Sequence, residues 1–254
     1  MIKELALFTI KQAKSCIFPV SIFSVLFISN FWVPNFLHRY DFILLCLVII
    51  QTIFILIKQE TKQELLVIFS FHFFGLFFEI FKVNQGVWSY PEDAIFKIFQ
   101  VPVYSGFMYA AVATYVIHAW KNLKLQLLNW PQTKYVLVVS SIIYLNFFTN
   151  HYIYDFRWVI IVAIIFLFKK TSFNFQVSEK VRNISASLSF LLISFFIWMA
   201  ENISTLLKAW QYPHQSDAWS VVDIRIISSW FLLVIFVVTL TITLSQKYKE
   251  HRIE

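Results

Sequence analysis

Two glutamates stand in the same short pattern, one in each half of the chain. Glu79 and Glu201 are each followed by eight residues, a tryptophan, one residue and then tyrosine-proline. A carboxyl group in an apolar setting normally faces the protein interior, is paired, or stays protonated. Glu79 and Glu201 are therefore predicted to act in proton transfer. His72, two helical turns before Glu79 on the same helix face, is predicted to assist them.

Aromatic and amide side chains are predicted to surround these carboxyl groups. The aromatic rings of the two motifs are predicted to line a site for a hydrophobic ligand. Asn146 and Asn150, spaced i, i+4, are predicted to share one helix face, with His151 beside them. Seven of the nine tryptophans fall on one predicted side of the membrane, which favours either an aromatic belt or the lining of a site. The predicted ligand-binding residues are Trp88, Tyr90, Trp210, Tyr212, Asn146, Asn150 and His151.

Metal and cofactor chemistry is not expected. His72, His151, Glu79 and Glu201 form no close ligand spacing such as Glu-x-x-His or His-x-x-x-His. Walker loops, dinucleotide fingerprints and catalytic Ser or Cys triads are absent from the sequence. The prediction is therefore no metal and no cofactor.

Five further residues are predicted to shape helix ends and close helix contacts. All three glycines of the chain, Gly75, Gly86 and Gly106, flank the first motif. They indicate either two helix-packing notches and a turn, or a shaped pocket. Asp41 and Asp155 stand at helix entrances, where a carboxylate can cap free N–H groups.

The elements that position these residues are membrane helices. Of 254 residues, 59% are hydrophobic and only 14% are charged, and the apolar residues fall in blocks near the roughly 20 residues that a spanning helix needs. The fold class is predicted to be all-α integral membrane, with about eight transmembrane helices. The sixth block is short and can instead form a re-entrant pair with its neighbour. The blocks are 16–33, 42–58, 64–83, 103–120, 135–150, 156–168, 184–201 and 224–245.

The chain also repeats itself internally. Asn30, Asp41 and the first Glu/Trp/Tyr-Pro motif correspond in order to Asn146, Asp155 and the second. A single membrane domain over 1–254 is predicted, made of two parallel four-helix repeats, 1–134 and 135–254. An even number of helices per repeat makes the two repeats parallel.

Basic residues set the predicted orientation. If the helices alternate, 15 of the 21 Lys and Arg residues lie on the side of both termini, which the positive-inside rule assigns to the cytoplasm. The net charge of +7 then meets anionic lipid headgroups. It is spread over separate loops without a basic helix, so nucleic acid is not an expected partner. Residues 1–15 are predicted to form an interfacial lead-in to the first helix.

Four segments carry a resemblance to a known family. They are FHFFGLFFEIFKVNQGVWSYPE, VPVYSGFMYAA, NFFTNHYIYDFRW and FFIWMAENISTLLKAWQYP. Over nearly its whole length the chain resembles a bacterial membrane family, domain of unknown function 817. The resemblance implies an integral protein of the bacterial inner (plasma) membrane and implies no activity.

A more local likeness concerns Gly75, Glu79 and the motif from Gly86 to Tyr90. This stretch is similar to membrane carotenoid-modifying proteins, the small lycopene cyclases and carotenoid hydratases, although Lys208 stands where Gly86 would repeat. The likeness implies proton chemistry on a polyene inside the bilayer.

Three functions remain open from the sequence. The first is a membrane-embedded acid/base enzyme, or a binder, for a hydrophobic isoprenoid-like or lipid substrate at an outward-facing pocket. The second is a proton-coupled transporter of a small solute, since intramembrane Asp, Glu and His residues carry protons in such proteins. The third is a structural membrane subunit.

Overall fold

The computed structural model describes residues 2–250, and side chains for residues 2–243. This part of the chain is mostly helical. Each of the eight predicted apolar blocks overlaps one of the helices α2–α9, and α1 occupies the predicted lead-in. The helices are α1 (Ile2–Ser15), α2 (Ile17–Ser29), α3 (Arg39–Leu56), α4 (Lys62–Asn84), α5 (Ser105–Asn122), α6 (Thr133–Thr149), α7 (Arg157–Leu167), α8 (Ala186–Leu206) and α9 (Ile226–Glu250).

Fewer helices than eight have the length and composition of a membrane span. Within the described residues, α3, α4, α8 and the segment Ile226–Thr243 of α9 meet both criteria, and a fifth span results if the bent pair of α1 and α2 is counted as one. Helix α7 has 11 residues, about 16 Å, against a hydrocarbon core of about 30 Å. The prediction of apolar helices long enough to span a membrane is confirmed for four or five of them, and the number eight is not.

Five short strands correct the expectation of an all-α fold. A hairpin pairs β1 (Lys97–Ile98) with β2 (Val101–Pro102), and a three-stranded antiparallel sheet has the order β3 (Gln126–Leu128), β4 (Ser172–Gln176), β5 (Val181–Ser185). The residues of β4 alternate polar and apolar, which is the pattern of a half-buried strand. The sheet thus forms in two basic segments that were predicted to be loops between helices.

The chain divides into two compact units. The glutamate unit comprises Ile17–Thr114 and Ala200–Val222, and it contains both Glu/Trp/Tyr-Pro motifs. The sheet unit comprises Met1–Cys16, Tyr115–Met199 and Asp223–Glu254. The predicted repeats 1–134 and 135–254 stay a prediction.

Each unit has its own apolar packing. In the glutamate unit, α2 packs against α3, and buried residues from these helices join buried tyrosines of the later segments in one core. In the sheet unit, α6, α7 and α9 pack together, and Phe173 of β4 lies edge-on to Phe190 of α8 with ring centroids 6.0 Å apart.

Candidate functional site

The side chain of Glu79 lies at the centre of a hydrogen-bonded group in the glutamate unit. Its Oε2 accepts hydrogen bonds from Trp88 Nε1 at 2.7 Å and from the Tyr90 hydroxyl at 2.8 Å. Its Oε1 accepts one from the Tyr109 hydroxyl at 2.7 Å. Glu79 is only 5% exposed, so three donors replace the water that the carboxyl group would otherwise bind. We call Glu79, Trp88, Tyr90 and Tyr109 the Glu79 cluster.

The end of α4 directs Trp88 and Tyr90 back onto their own helix. Gly86, with φ at +70°, follows the last turn, and its N–H donates to Val83 O at 2.9 Å while Val87 N–H donates to Lys82 O at 3.1 Å. This pair of bonds is a Schellman motif, which reverses the chain direction. The reversal brings Trp88, nine residues after Glu79, within hydrogen-bonding distance of it.

The second motif repeats this arrangement. Lys208 holds φ at +55°, and its N–H donates to Thr205 O at 3.0 Å while Ala209 N–H donates to Ser204 O at 2.9 Å. The Tyr212 hydroxyl then bonds to the Glu201 carboxyl group, eleven residues before it, as Tyr90 does to Glu79. Lys208 therefore takes the backbone role of Gly86, and the departure seen in the sequence does not change the fold of the motif.

The two motif loops bind each other through their central residues. Ser89 N–H donates to Gln211 O at 2.9 Å, and Gln211 N–H donates to Ser89 O at 3.0 Å. The ring of Trp88 meets that of Tyr212 with centroids 6.0 Å apart. Both motifs therefore belong to one site, with one carboxyl group from each.

Tyr109 of α5 belongs to this site but was missed from the sequence. Tyr109 can come this close because residue 75 is a glycine: a Cβ at Gly75 would lie 2.5 Å from Tyr109 Cγ. A Cβ at Gly106 would likewise lie 2.9 Å from the backbone oxygen of His72. Both glycines thus allow close packing of α4 against α5. The sequence clue to Tyr109 lies in VPVYSGFMYAA, where a tyrosine stands three residues after Gly106.

Charge and burial keep the tyrosines of the motifs protonated. Burial, followed by the neighbouring Glu79, raises the pKa of Tyr90 well above its usual value. Burial, followed by Glu201, does the same to the pKa of Tyr212. Both hydroxyl groups therefore remain donors at neutral pH. One turn after Glu79, Lys82 is also only 5% exposed, with its ammonium 5.6 Å from the centroid of Phe78.

Arg39 holds the surroundings of both motif loops. Its guanidinium pairs with Glu92 at 2.5 Å and donates to the backbone oxygens of Leu207 at 2.6 Å and Lys208 at 3.0 Å. A cation beside the final carbonyls of α8 complements the negative end of the helix dipole. In the sequence, Arg39 was only one of six basic residues on the predicted outer side.

Two of the predicted site residues in this unit lie outside the hydrogen bonds of Glu79. The ring of His72 packs edge-on against Phe107 with centroids 4.2 Å apart, and its assistance to Glu79 stays a prediction. Trp210 is partly buried and packs against the core of the unit.

Asn146, Asn150 and His151 belong to the sheet unit. Asn146 donates to Asp155 at 3.0 Å and accepts from Phe156 N–H at 3.1 Å, so it binds its own loop. Asn150 follows α6 and donates its N–H to Asn146 O at 3.0 Å, and His151 is exposed in the same turn. The ligand-binding role of these three residues stays a prediction.

The two aspartates have different partners. Asp155 accepts from the N–H of Arg157 at 3.0 Å, at the start of α7, which agrees with the predicted cap. Asp41 instead accepts from Ile95 and Phe96 N–H at 2.8 and 3.0 Å, so it holds the loop before β1 rather than its own helix.

No three His, Cys, Asp or Glu side chains that could hold a metal ion come together within the part of the chain that the structure describes.

Several helices that are long and apolar enough to span a membrane indicate a helical membrane protein, and two of its carboxyl groups are buried. A family model described as "Protein of unknown function (DUF817)" matches residues 4–238, and the chain belongs to this family. A relative is "Uncharacterized protein YoaT" of Bacillus subtilis (strain 168), 45% identical over 245 residues, which are 96% of this chain and 93% of that protein. No solved structure matches the chain at a significant level. The local likeness to carotenoid-modifying proteins gains no support from these comparisons.

Proposed function

We propose that the protein binds a hydrophobic, isoprenoid-like or lipid molecule in the membrane and uses Glu79 and Glu201 as acid/base groups toward it. The observation that carries this proposal is the pairing of two Glu–Tyr units through Ser89 and Gln211. Buried carboxyl groups add little to stability compared with apolar residues of similar size. Two of them, each bound by the tyrosine of its own motif, therefore favour a chemical role over a structural one.

The two oxygens of Glu79 differ in what they can do. Oε2 accepts from Trp88 Nε1, and an indole N–H can only donate. Oε1 has one partner, the Tyr109 hydroxyl, which can donate or accept. A proton can therefore be held or released at Oε1 without breaking the bonds at Oε2. We propose Oε1 of Glu79 as the reactive oxygen, and Glu201, which Tyr212 binds as Tyr90 binds Glu79, as the second acid/base group.

The aromatic surroundings fit an apolar or positively charged intermediate. Trp88 contacts the ring of Tyr212 at 6.0 Å and that of Phe78 at 6.3 Å between centroids. Ring faces stabilise a cation that water would otherwise quench. A protonated carbon–carbon double bond is one such cation, and this supports an unsaturated ligand.

The proposal includes an orientation in the membrane. The protein would lie in the bacterial inner (plasma) membrane with both termini in the cytoplasm and the ligand pocket open to the outside. Support comes from the bacterial relative and from the imbalance of fifteen to six basic residues. The duplicated Schellman ends and Glu–Tyr bonds support an origin by duplication.

A proton-coupled transporter of a small solute is the second candidate. The buried Lys82, one turn after Glu79 on the same helix face, favours it. Ionisable residues inside the membrane mark ion pathways and proton relays in pumps and transporters.

Mass spectrometry of co-purified lipids tests the first proposal. Protein purified in mild detergent is compared as wild type, Glu79→Gln and Glu201→Gln. Glu179→Gln, on the exposed turn between β4 and β5, is the matched control. The proposal expects one specific isoprenoid or lipid that is depleted or chemically altered in both site variants and unchanged in the control.

Bulk phospholipid alone in all four samples would overturn the proposal. Proton-coupled uptake into vesicles, abolished by Glu79→Gln and retained by Glu179→Gln, would establish the transporter instead.

A further inference from the structure

Helix α1 turns its polar side into the protein. Arg182 donates to the Glu4 carboxyl group at 2.7 Å, and Lys11 Nζ donates to the backbone oxygen of Gln176 at 2.8 Å. Asn122 donates to the Ser15 hydroxyl at 2.9 Å. Glu4, Lys11 and Ser15 are spaced by seven and four residues and so share one face of the helix. This face is fixed to the rest of the sheet unit by these polar contacts and by Phe8, whose ring centroid lies 5.7 Å from that of Phe175.

The opposite side of α1 is apolar and uncovered. Ile2, Leu5 and Ile10 are exposed by 82%, 65% and 51%. A helix on a water-soluble surface shows the reverse arrangement, with apolar side chains inward and polar ones outward. The three exposed apolar side chains of α1 indicate that its outer surroundings are hydrocarbon rather than water.

Basic residues border this apolar face. Lys3 and Lys14 are exposed and lie eleven residues apart, about three turns, on one flank of α1. Three segments, 1–15, 121–134 and 169–185, together hold ten basic residues and only two acidic ones. The structure joins these segments, because α1 contacts β4 and β5 and β3 pairs with β4. The basic residues are Lys3, Lys11, Lys14, Lys121, Lys124, Lys134, Lys169, Lys170, Lys180 and Arg182, and the acidic ones are Glu4 and Glu179.

We propose that α1 is a lipid-binding helix that lies in the headgroup region of an anionic leaflet. Ile2, Leu5 and Ile10 enter the acyl chains, while Lys3 and Lys14 bind lipid phosphate groups. Such helices bind through apolar area together with attraction to anionic lipid. The proposal does not depend on any role of Glu79 or Glu201.

Site-specific fluorescence tests this assignment in the full chain. Cys16 and Cys46 are replaced by alanine, and a single cysteine at Leu5 or at Thr9, on the same exposed side, carries a fluorophore. Glu179→Cys is the control on the exposed β4–β5 turn. The proteins are placed in vesicles of phosphatidylcholine and phosphatidylglycerol, with a nitroxide quencher on the acyl chain of either lipid.

The expected result has two parts. The label at Leu5 or Thr9 is quenched by acyl-chain nitroxide and protected from aqueous iodide, whereas the label at Glu179 shows the reverse. Quenching is also stronger when phosphatidylglycerol carries the nitroxide. Replacing Lys3 and Lys14 by Gln reduces this preference by up to about fivefold for each lysine.

Three results would overturn the proposal. They are iodide access at Leu5 and Thr9 equal to that at Glu179, equal quenching by the two lipids in the unaltered helix, and energy transfer between labelled copies that persists on dilution into excess lipid. The last result would identify a second copy of the chain as the partner of α1.

Discussion

Replacing Gly75 with alanine tests how Tyr109 reaches Glu79. A Cβ at position 75 would lie 2.5 Å from Tyr109 Cγ and 2.6 Å from its Cβ, whereas carbon atoms in contact stay about 3.5–4.0 Å apart. Both Tyr109 atoms are at the base of the side chain, so a ring rotation cannot remove the overlap. Helices α4 and α5 must separate by about 1 Å.

The expected cost follows from these distances. Overpacking of this size costs about 1–3 kcal/mol, and withdrawing the Tyr109 hydroxyl from a buried carboxyl group costs about 1–3 kcal/mol more. A loss of about 3 kcal/mol lowers the thermal midpoint by about 6–12 °C. Helix propensity alone predicts the opposite sign, because alanine is better than glycine in a helix by about 1 kcal/mol.

Thermal unfolding in mild detergent, arranged as a double-mutant cycle, measures this cost. With Tyr109→Ala as background there is no ring to displace, so Gly75→Ala is expected to be neutral or stabilising. Tyr109→Phe removes only the hydroxyl and measures the hydrogen bond by itself. A Gly75→Ala cost that is the same with and without the Tyr109 ring would refute the reasoning.

Three further changes test the rest of the site and the sheet unit. Lys208→Gly is expected to raise the thermal midpoint, because a left-handed conformation at an L-residue costs about 1 kcal/mol. Gly86→Ala is expected to lower the midpoint by a similar amount. If both variants are neutral, the two motifs do not share the left-handed residue that ends each helix. Trp88→Phe removes one donor from a buried carboxyl group and is expected to lose about 1–3 kcal/mol. Trp158→Phe, at a ring that is 61% exposed, is its control and is expected to change by less than about 0.5 kcal/mol, so equal losses would contradict the assignment. Partial burial raises the pKa of Asp155, but hydrogen bonds from its asparagine and arginine partners outweigh burial and leave the pKa below the ordinary 3.8. The stabilisation by Asp155 is therefore present above about pH 4 and is lost as the pH falls through the lowered pKa of the folded protein. The thermal midpoints of wild type and Asp155→Asn should converge in acid. A difference that stays constant with pH would contradict this account of Asp155.

Hydropathy and local spacing determined the helices and the two motifs. The apolar blocks overlap α2–α9 because each block carries its own helical signal over many neighbouring residues. The bond from Tyr90 to Glu79 joins residues eleven apart, and the spacing that produces it is visible in the sequence. The notch function of Gly75 and Gly106 was one of the two readings that the sequence left open.

Other features needed the folded chain. The sheet joins β3 to β4 across more than forty residues of sequence; the alternation within β4 is local, whereas its pairing with β3 is not. The positive φ of Lys208 could not be predicted from the sequence, because lysine has no intrinsic preference for the left-handed region. The short length of α7 depends on where the chain turns. The lower number of spans has a second cause, because α5 has 18 residues but lacks the composition of a span.

The sequence by itself determined a membrane protein with two equivalent Glu/Trp/Tyr-Pro motifs, because composition and short spacings are local properties. Only the tertiary structure brought the two motifs together through Ser89 and Gln211 and added Tyr109 to the first carboxyl group. These outcomes depend on how closely helices approach and on which distant loops meet, and packing between segments far apart in the chain decides both.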